Sequence, residues 1–331
     1  MLPDPFFKTQ AGTTSRNLDD ECQHCPQLWS GGFCGARIQA DCLHIGSDDT
    51  VRVGISASPT EWFEAVHSLG ELLHLTRNPV AVLGKVGAAP TLADRRSPVR
   101  PRACDGMYSP NLAEYASLWA VRQMTVFGVV YGLETRDVSG AVFERFLLPP
   151  HTFPELYREF VLTHQSPCEQ AGQWFAANHA ASARWRVGLS TRVPWLRERW
   201  KAGDQRVRRL RSRAVLQLLG AAAQEGLPLR TTLYQPAQTR AVLWTPSKED
   251  NMSGKARRPE QFFHDNEVGL HLDLRGVNGV WLWAGRCDCC SAERWSIELA
   301  HYPDYIGLTL KAGNPSAEEA WHELIQCIFL R

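Results

Sequence analysis

The chain holds 331 residues, 44% of them apolar and 21% charged, which suffices for a buried core in one large or two medium domains. Its formal net charge of +1 excludes a molecule-wide field that would draw the protein to nucleic acid or an anionic membrane, so any such contact has to be local. No run of ~20 apolar residues is present and the start, MLPDPFFKTQAGTTSRN, lacks the charged-then-apolar pattern of a signal peptide, so the expectation is a cytoplasmic protein with a loose tail over 1–20.

The first cysteine cluster is Cys22, Cys25, Cys34 and Cys42. Cys22 and Cys25 have the C-x-x-C spacing that tetrahedral zinc accepts, but no second pair of that spacing follows, so a structural zinc and ordinary buried or free thiols both stay open. Small and apolar residues at helical spacing over 35–46 place Cys42 on a packed helix. Thr60 to Gly70 carries an opening threonine, an early glutamate and a closing glycine, the signals of a short helix. Leu72–Arg77 and Val80–Val86 are β-type runs broken by the turn pair Asn78-Pro79. His67 and His74 fall within these elements and read as surface or satisfied histidines rather than ligands. Gly87 to Gly106 is rich in proline and arginine without periodicity and reads as a loop. Alternating runs from Leu112 to Leu148 predict an antiparallel meander, stopped by Pro149-Pro150 and followed by an amphipathic helix over Phe153–Leu162.

The second half repeats this order. A helix over Val215–Glu225 is closed by Gly226, strand runs follow at Leu229–Tyr234 and Ala241–Trp244, and a polar loop over Thr245–Glu260 leads into another meander. Glu134–Val161 matches Glu298–Ile325 at an offset of 164 residues, both reading as strand, turn, strand, proline and helix. The expected fold is therefore α+β with an internal duplication, two similar units that are each a large antiparallel sheet flanked by helices. The first repeat spans 21–162, a connecting helical segment 163–213, and the second repeat 214–331. The CDCC run Cys287–Cys290 falls on a hairpin connection between Trp283 and Trp295, where a redox or metal role stays open although no helix follows closely enough for a thioredoxin arrangement. P-loop, dinucleotide-fingerprint and serine-elbow motifs are missing.

LGELLHLTRNPVAVLGKVG, Leu69 to Gly87, resembles a segment of the HemS/ChuS/HmuS family of bacterial haem-handling proteins almost position by position. GLPL from Gly226 and LHLDLRGVNGVW from Leu270 to Trp281 are similar to second-half segments of that family, and the likeness covers most of residues 30–328. The resemblance implies a haem-binding protein with an iron-ligating histidine on the connecting helix and an arginine thirteen residues later. GLSTR supplies Arg192, which makes His179 the implied axial ligand and Arg192 the second contact, holding water or a propionate. A cation in the family's last strand that binds a propionate falls on Lys311. The family's distal arginine falls near Tyr108-Ser109, where none stands unless Arg102 reaches in from the loop, and Ala180, Ala181 and Ser182 replace the aromatic residues that usually follow the ligand, so carriage is expected over turnover.

The residues themselves are compatible with this. His179 offers an imidazole suited to iron, Trp174, Phe175 and Trp185 offer flat walls, and the arginines between Arg184 and Arg213 suit carboxylates. The same arginines also read as a solvated face or as phosphate contacts. The expected function is thus a cytoplasmic haem-binding protein for haem trafficking and iron utilisation, with haem degradation as a further activity. Its partners would be haem or a related tetrapyrrole and an electron donor or haem acceptor protein, with neither membrane nor nucleic acid. The alternative is a haem-free relative acting as a zinc- or nucleic-acid-binding module through its cysteine clusters and arginine-rich helix.

Overall fold

The computed structural model describes residues 50–89, 108–110, 115–125, 128–137, 142–149, 155–166, 191–235, 238–247, 260–265, 267–286, 293–301 and 304–330. The candidate zinc ligands Cys22 and Cys25, the helix expected over 35–46, the candidate haem ligand His179 and the Cys287–Cys290 run lie outside them. The chain divides into two units, one of Met1–Leu75, Gly84–Thr91 and Leu112–Asn178, the other of Thr76–Leu83, Leu92–Asn111 and His179–Arg331.

The first unit contains β1 (Thr50–Ile55), α1 (Pro59–Ser68), most of β2 (Glu71–Arg77) and β3 (Ala81–Ala88), then β5 (Ser117–Thr125), β6 (Gly128–Arg136), β7 (Val142–Leu147), α2 (Glu155–His164) and β8 (Gln165–Ser166). Its strands run β3-β2-β7-β6-β5-β1-β8. A capping box starts α1, because the Ser58 hydroxyl accepts from the Glu61 amide at 3.2 Å and the Glu61 carboxylate accepts from the Ser58 amide at 2.6 Å. The helix thus opens at Ser58, not at the threonine that the pattern favoured. Trp62, Phe63 and Val66 on α1 and Tyr157 and Val161 on α2 are buried, and the Tyr157 hydroxyl lies 3.2 Å from the Val121 carbonyl and 3.1 Å from that of Gly132. His74 is a satisfied core histidine, with Nε2 2.6 Å from a carboxylate oxygen of Glu144 and its ring stacked on Phe146, while His67 is exposed.

The second unit contains β4 (Tyr108–Pro110), α3 (191–201), β9 (Val207–Leu210), α4 (Arg213–Glu225), β10 (Leu229–Tyr234), β11 (Gln238–Trp244), β12 (Glu260–His264), β13 (Val268–Asp273), β14 (Gly279–Arg286), β15 (Glu293–His301), β16 (Tyr305–Ala312) and α5 (Glu318–Ile325). Its seven-stranded sheet runs β4-β11-β10-β16-β15-β14-β9. Within it, six strands run β11-β10-β16-β15-β14-β9, and six strands of the first unit run β3-β2-β7-β6-β5-β1. Apolar residues alternate along the strands, so Leu229, Val280, Leu282, Ile297, Leu299, Leu308 and Leu310 share one core with Leu218, Leu219 and Ala222 of α4 and Trp321 and Ile325 of α5. Trp321 occupies the helix position 164 residues after Tyr157 and donates its indole N–H to the Trp295 carbonyl at 2.9 Å. Val80, Leu83, Phe263, Leu270 and Leu272 belong to the same core. Asn78 closes the β2–β3 turn by accepting from the amides of Val80 and Ala81 at 3.0 Å, which is the turn chemistry expected of Asn-Pro.

One element differs in kind from its sequence reading. The arginine-dense run after Arg206 is not helical but forms β9, paired antiparallel with β14 at one edge of the sheet. Val207 is buried there and Leu210 half-buried, while Arg208 and Arg209 are exposed, so strand pairing overrides the helix propensity of arginine. Among the described residues no helix is long and apolar enough to cross a membrane.

Helix α4 ends where Gly226 adopts φ 60° and the Leu227 amide donates to the Ala222 carbonyl at 2.8 Å. Gly226→Ala should cost about 1 kcal/mol in urea denaturation, whereas Gly220→Ala, inside the same helix with open space around its Cβ position, should gain about 0.5–1 kcal/mol.

Candidate functional site

The two faces of the seven-stranded sheet differ in character. One is the apolar core. The strand registers show what the other carries: Arg230, Lys311, Ser296, Trp283 and Val207 form one row across β10, β16, β15, β14 and β9, and Thr232, Thr309, Glu298, Trp281 and Arg209 form the next. Aromatic, cationic and acidic side chains thus replace aliphatic ones on this face.

Helix α3 packs over part of it. Val193 and Leu196 are fully buried against Val207, Trp281, Ala300 and Ile306, and Arg192 reaches Glu298 in a two-pronged ion pair, Nε to Oε2 at 3.1 Å and Nη2 to Oε1 at 2.9 Å. The same guanidinium lies 4.2 Å from the Trp283 ring centre and 4.7 Å from that of Trp195, and the two indoles meet edge to face. Trp200 packs on Trp281, and Arg197 binds both oxygens of Asp304 at 3.0 Å. At the end of α3, the Arg206 side chain is the main cause that holds the Asp204 carboxyl down to about 2, with the Arg206 amide and Arg199 adding to it.

Beyond α3 the face is half-buried. Burial pushes the Tyr234 phenol above its ordinary value; the hydrogen bond with Thr309 works against this and the Glu298 charge works with it. Lys311 stands directly opposite Arg230 on antiparallel strands, a like-charge pair. Glu318 lies near enough to feel Lys311, since its carboxyl is raised by burial and pulled back by Arg294 and Lys311. Arg230 has no ion-pair partner among the described residues.

Arg192 and Lys311 therefore occupy one face, whereas His179, Cys22 and Cys25 lie outside the described residues. Among the described residues no group of three or more His, Cys, Asp or Glu could hold a metal ion. Arg230, Tyr234, Trp283 and Glu298 complete the face. The only signal for them in the sequence is alternation, which says that they share a side but not what they meet there.

Removing Glu298 leaves a cation held between indoles without its counter-charge. Glu298→Ala should cost about 1–3 kcal/mol in urea denaturation, and a double-mutant cycle with Arg192→Ala should return a coupling of about 1 kcal/mol or more. In an acid titration, the charge-dependent stabilisation from Asp204 should persist below the ordinary aspartate range and disappear as pH falls through about 2, and Arg206→Ala should move that transition upward. The carboxyl carbon shift of Asp204 in NMR reads it directly.

No family model matches the chain, and no curated protein does so. Solved structures do. A haem-bound form of PhuS, described as a heme-binding protein from Pseudomonas aeruginosa, has 17% sequence identity and a TM-score of 0.64, covering 84% of this chain and 86% of that one. ChuS of Escherichia coli O157:H7, described as a heme degrading enzyme, has 15% identity and a TM-score of 0.64 over 84% of this chain and 86% of that one. A second structure of ChuS, described as an E. coli heme oxygenase, has 15% identity and a TM-score of 0.63 over 85% and 89%. At such identities the likeness speaks for the fold, and it agrees with the motif resemblance at Leu69–Gly87: this chain has the α+β fold of PhuS and ChuS, the fold of the HemS/ChuS/HmuS group.

Proposed function

We propose that the protein binds haem or a related tetrapyrrole on the polar face of the second unit and carries it for iron utilisation. The observation that supports this most is the half-buried pair Arg230 and Lys311, opposite one another on β10 and β16 in the same row as Trp283. Two like charges directly opposite one another concentrate positive charge on this face, with Glu318 near Lys311 as one offset, and a bound anion would add another. A flat molecule with two carboxylates would be such an anion, with one guanidinium fork and one ammonium to receive them and an indole as wall. PhuS and ChuS, which share the fold, are described as haem-binding and haem-degrading proteins.

The residues fit the group in donor chemistry. His179 is proposed as the axial ligand through a neutral imidazole, and haem would supply the iron-centred chemistry once bound. Glu298 fixes the Arg192 guanidinium, so Arg192 acts from a set position: one of its nitrogens remains to hold water or a carboxylate, and its plane braces Trp283. The Tyr234 phenol stays protonated well past neutrality because burial disfavours its anion, which keeps it a hydrogen-bond donor. Carriage is favoured over degradation because the family's distal arginine has no counterpart near Tyr108, which is buried on β4.

Titration of haemin into the purified protein should give a saturable one-to-one shift of the Soret band. His179→Ala should abolish the shift. Lys311→Ala with Arg230→Ala should leave the band position unchanged while weakening binding by about 10–100-fold, as loss of a charge-assisted contact requires. A wild-type protein with no saturable shift, or two variants that titrate like it, would overturn the reading.

A further inference from the structure

The first unit carries a charge excess at the place where the second unit is balanced. Glu134 stands opposite Trp119 on β6 and β5, as Glu298 stands opposite Trp281 on β15 and β14. Glu298 is met by Arg192. Glu134, with no exposed side-chain surface, is met by Arg145 at 2.5 Å, Arg136 at 2.7 Å and Arg52 at 3.3 Å. Burial alone would raise the Glu134 carboxyl, yet the three arginines hold it below its ordinary value. One carboxylate offers about four acceptor positions and each guanidinium five donors, so the cluster is left with surplus donors and two surplus positive charges.

The surplus has a direction. Arg145 is 1% exposed and turns to Glu134 Oε2 and to Gln123, its Nη1 donating to the amide oxygen at 3.0 Å. Arg52 and Arg136, with side chains 21% and 24% exposed, approach the other oxygen, Oε1, from β1 and β6. Because both end on one atom, the two guanidiniums are neighbours. Arg52 uses only Nε, and neither of its terminal nitrogens has a partner among the described residues. Arg136 lies over the Trp119 ring, 5.3 Å from its centre, and the Trp119 N–H donates to the Ser117 hydroxyl at 2.8 Å. Arg136 gives Nε and Nη2 to Glu134 and keeps Nη1, so this nitrogen and the terminal nitrogens of Arg52 are the donors left to receive an oxyanion beside a carboxylate that cannot neutralise both cations.

We propose that Arg52 and Arg136 form an anion site in the first unit, separate from the ligand face of the second, that takes a phosphate or carboxylate group in bidentate fashion. Glu134 sets the site by aligning both guanidiniums, and Arg145 neutralises Glu134 from behind so that the outward charge remains positive.

Inorganic phosphate and succinate, titrated separately into the full chain at low ionic strength with thermal unfolding and calorimetry as readouts, test it. One anion equivalent per chain should bind and raise the unfolding temperature, and Arg52→Ala with Arg136→Ala should weaken that binding at least tenfold. The pair Arg230→Ala and Lys311→Ala should leave it unchanged, which separates this site from the haem reading. The double variant keeps the Arg145–Glu134 pair, and its circular dichroism should match the wild type. Whichever anion binds names the group the site takes. Absence of binding for both anions, or equal binding by the Arg52/Arg136 variant, would overturn the proposal.

Discussion

A carboxylate placed on the middle of a sheet face and denied water has to be met by a cation, because an unpaired buried charge costs several kcal/mol. Each sheet of this protein puts one there, Glu134 on β6 and Glu298 on β15, each opposite a tryptophan. Much of what distinguishes the two faces of each sheet follows from that placement. In the second unit the counter-charge comes from α3, so Glu298 fixes where the helix starts its contact and Val193 and Leu196 then seal the adjoining patch. In the first unit the counter-charges come from β1, β6 and β7 of the sheet itself, and they exceed what one carboxylate needs.

The functional reading depends on the same constraint. Beside the apolar patch that α3 seals, the residues around the Arg192–Glu298 pair, Ser296, Thr309, Thr232 and Tyr234, are polar or amphipathic. Such a face suits a ligand that is flat and apolar in its body and charged at its rim. In the proposed reading Arg230 and Lys311 would offer the rim contacts. PhuS and ChuS, whose fold this chain shares, are described as haem-binding and haem-degrading proteins.

The sequence carried the elements better than the site. Strand alternation places β2, β5, β6, β7 and β10 within a few residues and predicts a meander where β14 to β16 lie, and Gly226 marks the end of α4, because these signals are local. The Asn78-Pro79 turn was legible for the same reason, although its wider role was not: the Asn78 side chain also donates to the carbonyls of Tyr234 at 2.9 Å and Gly307 at 2.7 Å, partners far along the chain. β9 is not legible in the sequence because a run of arginines has a good helix propensity and the pairing with β14 that decides otherwise, from Leu210↔Val280 to Val207↔Trp283, is distant along the chain. Arg192 and Lys311 were named through resemblance to a family, yet the pairing of Arg192 with Glu298, 106 residues on, and the position of Arg230 opposite Lys311 required the strand registers.

Hydrogen exchange with and without haemin tests the central claim, that the ligand face is the polar side of the second unit's sheet. Protection should rise on β10, β15, β16 and residues 191–201, with little change on β1, β5 and β6. Protection confined to the first unit, or no change anywhere at saturating haemin, would contradict it.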